Sequence, residues 1–269
     1  PLTLGHDVAG TVLAVGAKVT SFAVGDAVFA RPGTTQIGTF AERIAVAESD
    51  VALSPRTITT VEAASLPLVA LTAWQALVEL GKVQPGQRVL IHAGAGGVGT
   101  IAIQLAKHLG AQVATTASAA NADFVRTLGA DVVIDYRTQD FGQLLSGYDL
   151  VLDSLGGENL AKSLRILKPG GLAVGISGPP DPDFARAAAL NPVLRAAIWV
   201  LSSKVRGQAK KLGVRYQFLC IVVDGHYTLP QLPGYSAHMY EESVAIYSFP
   251  DGEYWASRAA ASLATAGTA

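Results

Sequence analysis

The sequence predicts an α/β protein built on a doubly wound parallel sheet, with a smaller β-rich segment before it. Residues 1–53 hold short β-branched or aromatic runs separated by glycine-rich turns. From residue 89 onward, apolar strand patterns alternate with helical patterns, and a glycine-rich turn joins the first such strand to its helix. Repeated strand–helix units with crossovers of this length are typical of parallel sheets covered by helices on both faces.

The β-rich segment comes first along the chain. Its strand patterns are residues 8–15, 26–30 and 40–46. Glycines between these runs suit the tight corners of a small antiparallel barrel. From Glu62 a helical pattern follows, which is broken at Pro67 and closed by Gly81.

The alternating region follows. Its predicted strands are residues 89–93, 112–117, 131–135, 149–153, 171–177 and, as a sixth candidate, 214–219. Its predicted helices are residues 98–109, 121–129, 141–145 and 158–167. The first of these helices places its apolar side chains on one face, as a helix covering a sheet requires.

The composition fits a chain that buries much of itself. Half of the 269 residues are hydrophobic and 15% are charged, against about 25% charged residues in typical soluble domains. The net charge of −1 gives no electrostatic reason to expect nucleic acid or an anionic membrane as a partner. The longest uncharged apolar run, residues 63–78, is shorter than the ~20 residues that span a bilayer. Because Cys220 is the only cysteine and no signal peptide is visible, we expect no disulfides and a cytoplasmic setting.

The glycine-rich turn has the pattern Gly94-x-Gly96-x-x-Gly99. One such glycine permits the turn, one lets the backbone approach a pyrophosphate, and one allows close packing of helix on strand. The predicted helix begins near Val98, directly after Gly97, and its N-terminal N–H groups and partial positive charge suit a phosphate. Glycine turns also occur for purely structural reasons. A turn that follows an apolar strand and opens an amphipathic helix, however, favours a dinucleotide site of the Rossmann type.

The end of the second strand of this sheet distinguishes NAD from NADP. NAD sites usually carry an Asp or Glu there, about 20 residues after the glycines, which bonds the ribose 2′-hydroxyl. Residues 114–121 contain no acidic residue here, and their polar side chains include Thr116, Ser118 and Asn121. An uncharged, hydroxyl-lined pocket does not repel a 2′-phosphate, so the sequence favours NADP(H). A purely helix-capping role of Ser118 or Asn121 stays open, and Arg126 and Arg137 are candidates of unknown placement.

Six segments, in this order along the chain, carry a resemblance to a known family. They read GHDVAGTVLAVGAKVTSFAVGDAVF, GTFAERIAV, EAASLPLVALTAWQAL, GQRVLIHAGAGGVGTIAIQLAK, LGADVVIDY and VLDSLGG. They resemble the zinc-independent quinone oxidoreductase branch of the medium-chain dehydrogenase/reductase superfamily. The resemblance implies that residues 1–65 form part of a GroES-like β-barrel catalytic domain. It also implies that residues 66–220 form a Rossmann NADP-binding domain, with the cofactor between the two domains.

The resemblance further implies that the chain is a fragment. Relatives carry additional barrel strands upstream and return to the barrel with a closing helix and strand. Residues 221–269 do not resemble that ending, since they show little periodicity and finish in an Ala/Ser/Thr-rich run. We expect an atypical tail that is either irregular but native or the product of an altered reading frame, and we favour the second hypothesis.

Zinc ligands of the family are missing from the matching positions. Zinc-dependent relatives carry a ligating His in a GHE segment, which is Gly5-His6-Asp7 here. They also carry a cysteine four residues before the threonine that matches Thr72, where this chain has Leu68. A lone His cannot form a catalytic zinc site, which needs about three protein ligands. We therefore expect no metal and a structural or cleft-lining role for His6.

Further cofactor-binding positions carry over from the resemblance. They are Thr72, Tyr136, Leu155, Ile176 and Ser177. The resemblance places Thr72 near the phosphates and nicotinamide, against an ordinary helix-cap role. It places Tyr136 beside the adenosine 2′-phosphate, against an ordinary strand-end aromatic. The other three follow the fourth and fifth strands, where open α/β sheets bind ligands, and Asp153 is expected to bond backbone rather than act as an acid.

These expectations combine into one function with two alternatives. We expect an NADPH-dependent oxidoreductase that transfers a hydride to a quinone or an α,β-unsaturated carbonyl without zinc, with no catalytic side chain assigned. The alternatives are an enoyl-thioester reductase and a dinucleotide-binding protein without turnover. A small-molecule substrate and a homodimer are the expected partners, with neither nucleic acid nor membrane.

Overall fold

The computed structural model describes residues 3–33 and 37–220. These residues fall into two compact units, one ending at Leu68 and the other beginning at Val69. The tail expected over residues 221–269 lies outside the described residues.

The first unit contains a three-stranded antiparallel sheet in the order β1-β2-β3. Its strands are β1 (Val8–Thr11), β2 (Ala27–Ala30) and β3 (Val51–Leu53). A short helix, α1 (Thr60–Ala64), follows. It begins with a capping box, in which the Thr59 side chain accepts from the Glu62 N–H and the Glu62 carboxylate accepts from the Thr59 N–H.

The strand expected over residues 40–46 does not form, so that prediction is wrong. The third strand of this sheet is Val51–Leu53, which follows a 3₁₀ turn at Glu48–Asp50. A strand pattern becomes a strand only where another strand offers a hydrogen-bonding edge. Within the described residues, none pairs with residues 40–46, and the Phe40 side chain is 76% exposed.

The helical segment broken at Pro67 is confirmed. Pro67 is the first residue of α2 (Pro67–Trp74), where its missing N–H costs nothing. The helix continues as a π-helical stretch, Gln75–Leu80, and ends at Gly81. A Cβ at Gly81 would lie 2.7 Å from the Ala76 carbonyl oxygen, so only glycine fits this ending.

The second unit holds a parallel sheet of six strands in the order β6-β5-β4-β7-β8-β9. The strands are β4 (Arg88–Ile91), β5 (Gln112–Ala117), β6 (Val132–Asp135), β7 (Tyr148–Asp153), β8 (Leu167–Gly175) and β9 (Arg215–Phe218). The crossover helices are α3 (Gly97–His108), α4 (Ala122–Thr127), α5 (Phe141–Leu144) and α6 (Gly157–Ile166). The strand order reverses between β4 and β7, and ligands bind open α/β sheets at such a switch point. The doubly wound parallel sheet is confirmed.

The core of this unit lies on both faces of the sheet. Neighbouring residues of one strand, such as Leu90 and Ile91, point to opposite faces and join different apolar clusters. This explains why the strands read as continuous apolar runs. Burying each such side chain stabilises the fold by roughly 1.5–3 kcal/mol. Among the described residues, no helix has the length and apolar character needed to cross a bilayer.

Three helices between β8 and β9 were not anticipated from the sequence. They are α7 (Pro182–Ala187), α8 (Pro192–Leu201) and α9 (Ser203–Leu212). The signal for the first two was present, since Asp181 and Asn191 each cap a helix whose first residue is proline.

Candidate functional site

The glycine-rich turn lies at the carboxyl end of β4, between the strand and α3. Ala93 opens it with a φ of +53°, a conformation that side chains other than glycine rarely adopt. The turn is closed by the Gly96 N–H, which donates to the Ala93 carbonyl at 2.9 Å. Gly96 is the N-cap of α3. The backbone of this turn therefore forms the first surface of the candidate site.

Each glycine of the turn lies close to a neighbouring backbone or side-chain atom that a Cβ would crowd. A Cβ at Gly99 would lie 2.7 Å from the Gly94 Cα and would collide with the Ala93 carbonyl oxygen. A Cβ at Gly94 would collide with the Thr115 hydroxyl of β5. A Cβ at Gly96 would lie 3.2 Å from the Ala93 oxygen. The strand, turn and helix thus pack at a distance that leaves no room for side chains.

The N-terminus of α3 faces outward from this turn. The first N–H groups of a helix have no partner inside it, which here concerns Gly97, Val98 and Gly99. Lys107 and His108 in the last turn complement the opposite end of the helix dipole. The positive end of the helix thus meets a bare backbone turn, which is the donor set that a pyrophosphate needs.

Helix α2 packs beside this helix start. A Cβ at Gly97 would lie 3.2 Å from the Val69 side chain. Thr72 follows Val69 by three residues, so both share one face of α2. Thr72 is buried and lies within the helix rather than at its cap, so the helix-cap alternative does not apply.

The ends of β5 and β6 bring two predicted residues together. Ala117 pairs with Asp135, so Ser118 and Tyr136 follow adjacent strand ends. The Tyr136 N–H donates to the Ala117 carbonyl, and its ring is 58% exposed. The Ser118 side chain makes no cap hydrogen bond to the 3₁₀ turn that follows it.

Thr116 is placed differently from the expectation that it lines the 2′-phosphate pocket. Its side chain is 2% exposed. Its hydroxyl accepts from the Ala93 N–H and lies 3.1 Å from the His92 ring. The buried Thr116 hydroxyl therefore stabilises the glycine turn through its hydrogen bond to Ala93, and it does not face a ligand.

The structure places the two candidate arginines, Arg126 and Arg137, in different surroundings. The Arg126 guanidinium pairs with Asp123 at 2.8 Å on α4. The Arg137 guanidinium lies 5.9 Å from the centre of the Tyr136 ring. Arg137 therefore places a cation near the Tyr136 ring, and its position next to the expected strand end was the only signal in the sequence.

The turns after β7 and β8 form the other side of the candidate site. Leu155 and Ser177 are exposed, and Ile176 is half-buried. The Asp153 carboxylate accepts from the N–H groups of Leu155 and Gly156 at 3.0 and 2.7 Å. The expectation that Asp153 bonds backbone is confirmed, and this bonding fixes the path of the turn after β7.

The first unit has an open pocket of about 640 Å³. Its lining includes His6, Phe40 and Leu68. Asp7 also borders it, but its carboxylate accepts from the Leu68 N–H at 2.8 Å. Burial raises the pKa of Asp7, while that hydrogen bond and nearby Arg31 act in the opposite direction.

Two family models match the chain. Residues 1–56 match the alcohol dehydrogenase GroES-like domain, and residues 97–216 match the zinc-binding dehydrogenase domain. The chain belongs to the medium-chain dehydrogenase/reductase superfamily. The second match begins at Gly97, the first residue of α3, and ends at Tyr216 in β9. It therefore covers the helix start and the later strand ends of the candidate site, while Gly94 and Gly96 lie just before it.

Named members of the superfamily are similar to this chain. The NADPH-dependent alkenal/one oxidoreductase of Arabidopsis thaliana is 40% identical over 69% of this chain and 50% of its own length. The quinone oxidoreductase of Coxiella burnetii is 33% identical with a TM-score of 0.67, covering 81% of this chain and 62% of that one. The CurK enoyl reductase is 34% identical with a TM-score of 0.68, covering 81% and 61%. The chain spans about half the length of that plant relative.

The zinc implied by one family description does not fit the residues present. In the pocket of the first unit, His6 is accompanied by Leu68 rather than by a sulfur or imidazole ligand. The Asp7 carboxylate is already engaged by backbone. Within residues 3–33 and 37–220, no three His, Cys, Asp or Glu side chains come together as a metal site requires.

Proposed function

We propose that this member of the medium-chain dehydrogenase/reductase superfamily binds NADPH at the carboxyl edge of its parallel sheet. We further propose that it reduces a quinone or an α,β-unsaturated carbonyl without a metal. The main observation is the backbone of residues 94–99, which we call the cradle, at the carboxyl end of β4 and the start of α3. Ser118 and Tyr136 follow the ends of the adjacent strands β5 and β6, and Arg137 lies near the Tyr136 ring. A phosphate fits the cradle, and the cation favours a second phosphate on the ribose.

The proposed cofactor contacts follow the carboxyl edge. They are Thr72, Gly94, Gly96, Gly97, Val98, Gly99, Ser118, Tyr136, Arg137, Leu155, Ile176 and Ser177. The pyrophosphate would lie over β4 and α3, and the adenosine over β5 and β6. The nicotinamide half then falls over β7 and β8. Thr116 makes no proposed contact with the cofactor, and its hydroxyl accepts a hydrogen bond from the Ala93 N–H of the turn.

The division of the chain supports this assignment. We propose a partial GroES-like domain over residues 1–65 and a Rossmann domain over residues 66–220. The two family matches, over residues 1–56 and 97–216, fall within these limits. The boundary between the compact units lies between Leu68 and Val69, three residues beyond the proposed one.

Bound NADPH supplies a hydride from C4 of its nicotinamide. What the chain contributes is binding and orientation, because a quinone or enone accepts hydride without strong acid assistance. The alkenal/one oxidoreductase and quinone oxidoreductase relatives support this substrate class. The likeness to the CurK enoyl reductase favours an enoyl thioester as the second candidate.

A direct comparison of acceptors tests the proposed function. NADPH binding is monitored through the quenching of protein fluorescence. NADPH oxidation is then measured with each of three acceptors, namely benzoquinone, a 2-alkenal and an enoyl-CoA. Turnover of benzoquinone or the alkenal supports the proposal, and preference for the enoyl-CoA replaces it with the second candidate. NADPH binding without turnover of any acceptor indicates a dinucleotide-binding protein instead.

Arg137 is expected to set the preference for NADPH over NADH. Replacing Arg137 by alanine should weaken NADPH binding about 10- to 100-fold, because a charge-assisted hydrogen bond to phosphate contributes about 1.5–3 kcal/mol. NADH binding should stay unchanged. Arg126→Ala is the matched control, since Arg126 is engaged with Asp123. Equal weakening of both nucleotides by Arg137→Ala would contradict the assignment.

Two further expectations remain predictions. They are the homodimer and the cytoplasmic setting, and the named relatives include a chloroplastic protein.

A further inference from the structure

A chain of buried polar side chains runs beneath the glycine turn and the turn after β7. Its members are Thr116, His92, Ser163 and Asp153, which we call the buried relay. Each is at most 2% exposed. His92 follows β4, Thr116 belongs to β5, Asp153 ends β7, and Ser163 lies on α6. The relay therefore joins four elements that meet at the switch point of the sheet.

The donors and acceptors of the relay follow one direction. The Asp153 carboxylate only accepts, so the Ser163 hydroxyl donates to its Oδ2 at 2.9 Å. The Ser163 oxygen is then free to accept from His92 Nε2 at 3.0 Å. At the other end, the Thr116 oxygen accepts from the Ala93 N–H, and its hydroxyl donates to His92 Nδ1 at 3.1 Å. The His92 proton is thereby assigned to Nε2.

The neutral state of His92 is consistent with this direction. Burial lowers the pKa of His92 to about 4, against the opposing attraction of Asp153. A protonated ring would present a donor at Nδ1, where Thr116 also donates. The ring packs edge-on against Phe141, with 4.6 Å between centroids, which closes the relay to water.

Both ends of the relay terminate in backbone that lines the candidate site. At one end, Thr116 holds Ala93, the residue with positive φ that opens the glycine turn. At the other end, the Asp153 carboxylate accepts from the N–H groups of Leu155 and Gly156. The Asp153 carbonyl also accepts from the Ile176 N–H at 2.9 Å. The Ser154 hydroxyl adds a second link between the two turns, because it donates to the His92 carbonyl at 3.4 Å.

We infer that His92, Ser163 and Asp153 are positioning residues that fix the turn after β7 for the nicotinamide half of the dinucleotide. The inference rests on the proposed function, in which the adenosine half lies over β5 and β6. Gly156 shows how close this fit is, since its φ is +68° and a Cβ there would lie 2.7 Å from the Ser177 carbonyl oxygen. A shift of the turn after β7 would therefore also displace Ser177.

The test removes the Ser163 hydroxyl and compares two ligands. Ser163→Ala breaks the relay between His92 and Asp153 with almost no change in volume. It should raise the Kd for NADPH about tenfold, as expected for one lost hydrogen bond in a dry site. The Kd for adenosine 2′,5′-bisphosphate, which is the adenosine half of NADPH, should change less than about twofold. Isothermal titration calorimetry measures both.

Ser202→Ala is the matched control. Ser202 is equally buried, and its hydroxyl donates to the Ile198 carbonyl at 2.8 Å, in the link between α8 and α9. It should leave both Kd values unchanged. Ser163→Cys keeps the volume with a weaker donor, so it serves if the alanine variant does not fold, and it should fall between wild type and alanine in NADPH affinity.

The outcomes separate the inference from the function on which it rests. If the unchanged protein binds neither ligand, the proposed function fails. If it binds both and the Ser163 variants bind NADPH as wild type does, the inference is overturned while the function stands. If the Ser163 variants weaken both ligands equally, the relay has only a general structural role and the inference is also overturned.

Discussion

Replacing Gly99 by alanine is expected to weaken NADPH binding about 100-fold and to lower the free energy of unfolding by about 1–3 kcal/mol. The added Cβ would lie 2.7 Å from the Gly94 Cα and 2.9 Å from the Gly94 carbonyl carbon. It would also collide with the Ala93 carbonyl oxygen. All three neighbours are backbone atoms, so the collision is relieved only if α3 or the glycine turn moves. Either movement would displace the backbone N–H groups that are proposed to bind the pyrophosphate.

Gly207→Ala is the control for this prediction. Gly207 lies in the middle of α9, and a Cβ there meets nothing within 4 Å. Alanine at an exposed helix position should raise the free energy of unfolding by about 0.5–1 kcal/mol and leave NADPH binding unchanged. Urea denaturation and NADPH titration of both variants give the comparison. Wild-type affinity in Gly99→Ala would show that the cradle does not bind the cofactor.

The free energy of unfolding is expected to fall by about 3 kcal/mol as the pH decreases from 6.5 to 4, through His92 alone. His92 has its pKa lowered from 6.5 to about 4 by burial in the folded state. Between these values the unfolded chain binds a proton at this position and the folded protein does not. The contribution of His92 to the free energy of unfolding is therefore fully present above pH 6.5, and it is lost progressively as the pH falls toward 4.

Urea denaturation at pH 7 and pH 4.5 measures this dependence. His92→Gln keeps a donor near the Ser163 hydroxyl but does not titrate, so it should lower stability at pH 7 and flatten the dependence on pH. His108→Gln removes an exposed imidazole from the end of α3 and serves as the comparison histidine substitution outside the relay. An equal slope in wild type and His92→Gln would mean that His92 is not the group responsible.

Local patterns predicted most of the second unit. The strands of the parallel sheet and helices such as α3 lie within a few residues of their expected positions, because period and capping signals act over short distances. The error at residues 40–46 has a different origin. Residues 40–46 join neither of the two sheets that the described residues form, and no single segment of sequence shows which strands will pair. Residues 182–212 form three helices, of which the first two carry a proline and a side-chain cap at their starts and the third carries neither.

The glycine turn is the clearest case of a site determined by sequence alone. Gly94, Gly96 and Gly99 lie within six consecutive positions, and the turn they allow depends on backbone sterics within that stretch. The absence of an acidic residue in the following strand end is equally local. The candidate cofactor and the superfamily could both be inferred from such stretches.

The buried relay was decided only by the tertiary structure. His92 and Ser163 are 71 positions apart in the chain and are 3.0 Å apart in space. Thr116 was expected to face a phosphate, yet the parallel register that pairs Ile91 with Thr115 directs its side chain toward His92. Strand order and register fix which face each side chain joins, and these depend on pairing between distant segments. The sequence therefore determined which backbone could bind a dinucleotide, and the fold decided which side chains hold that backbone in place.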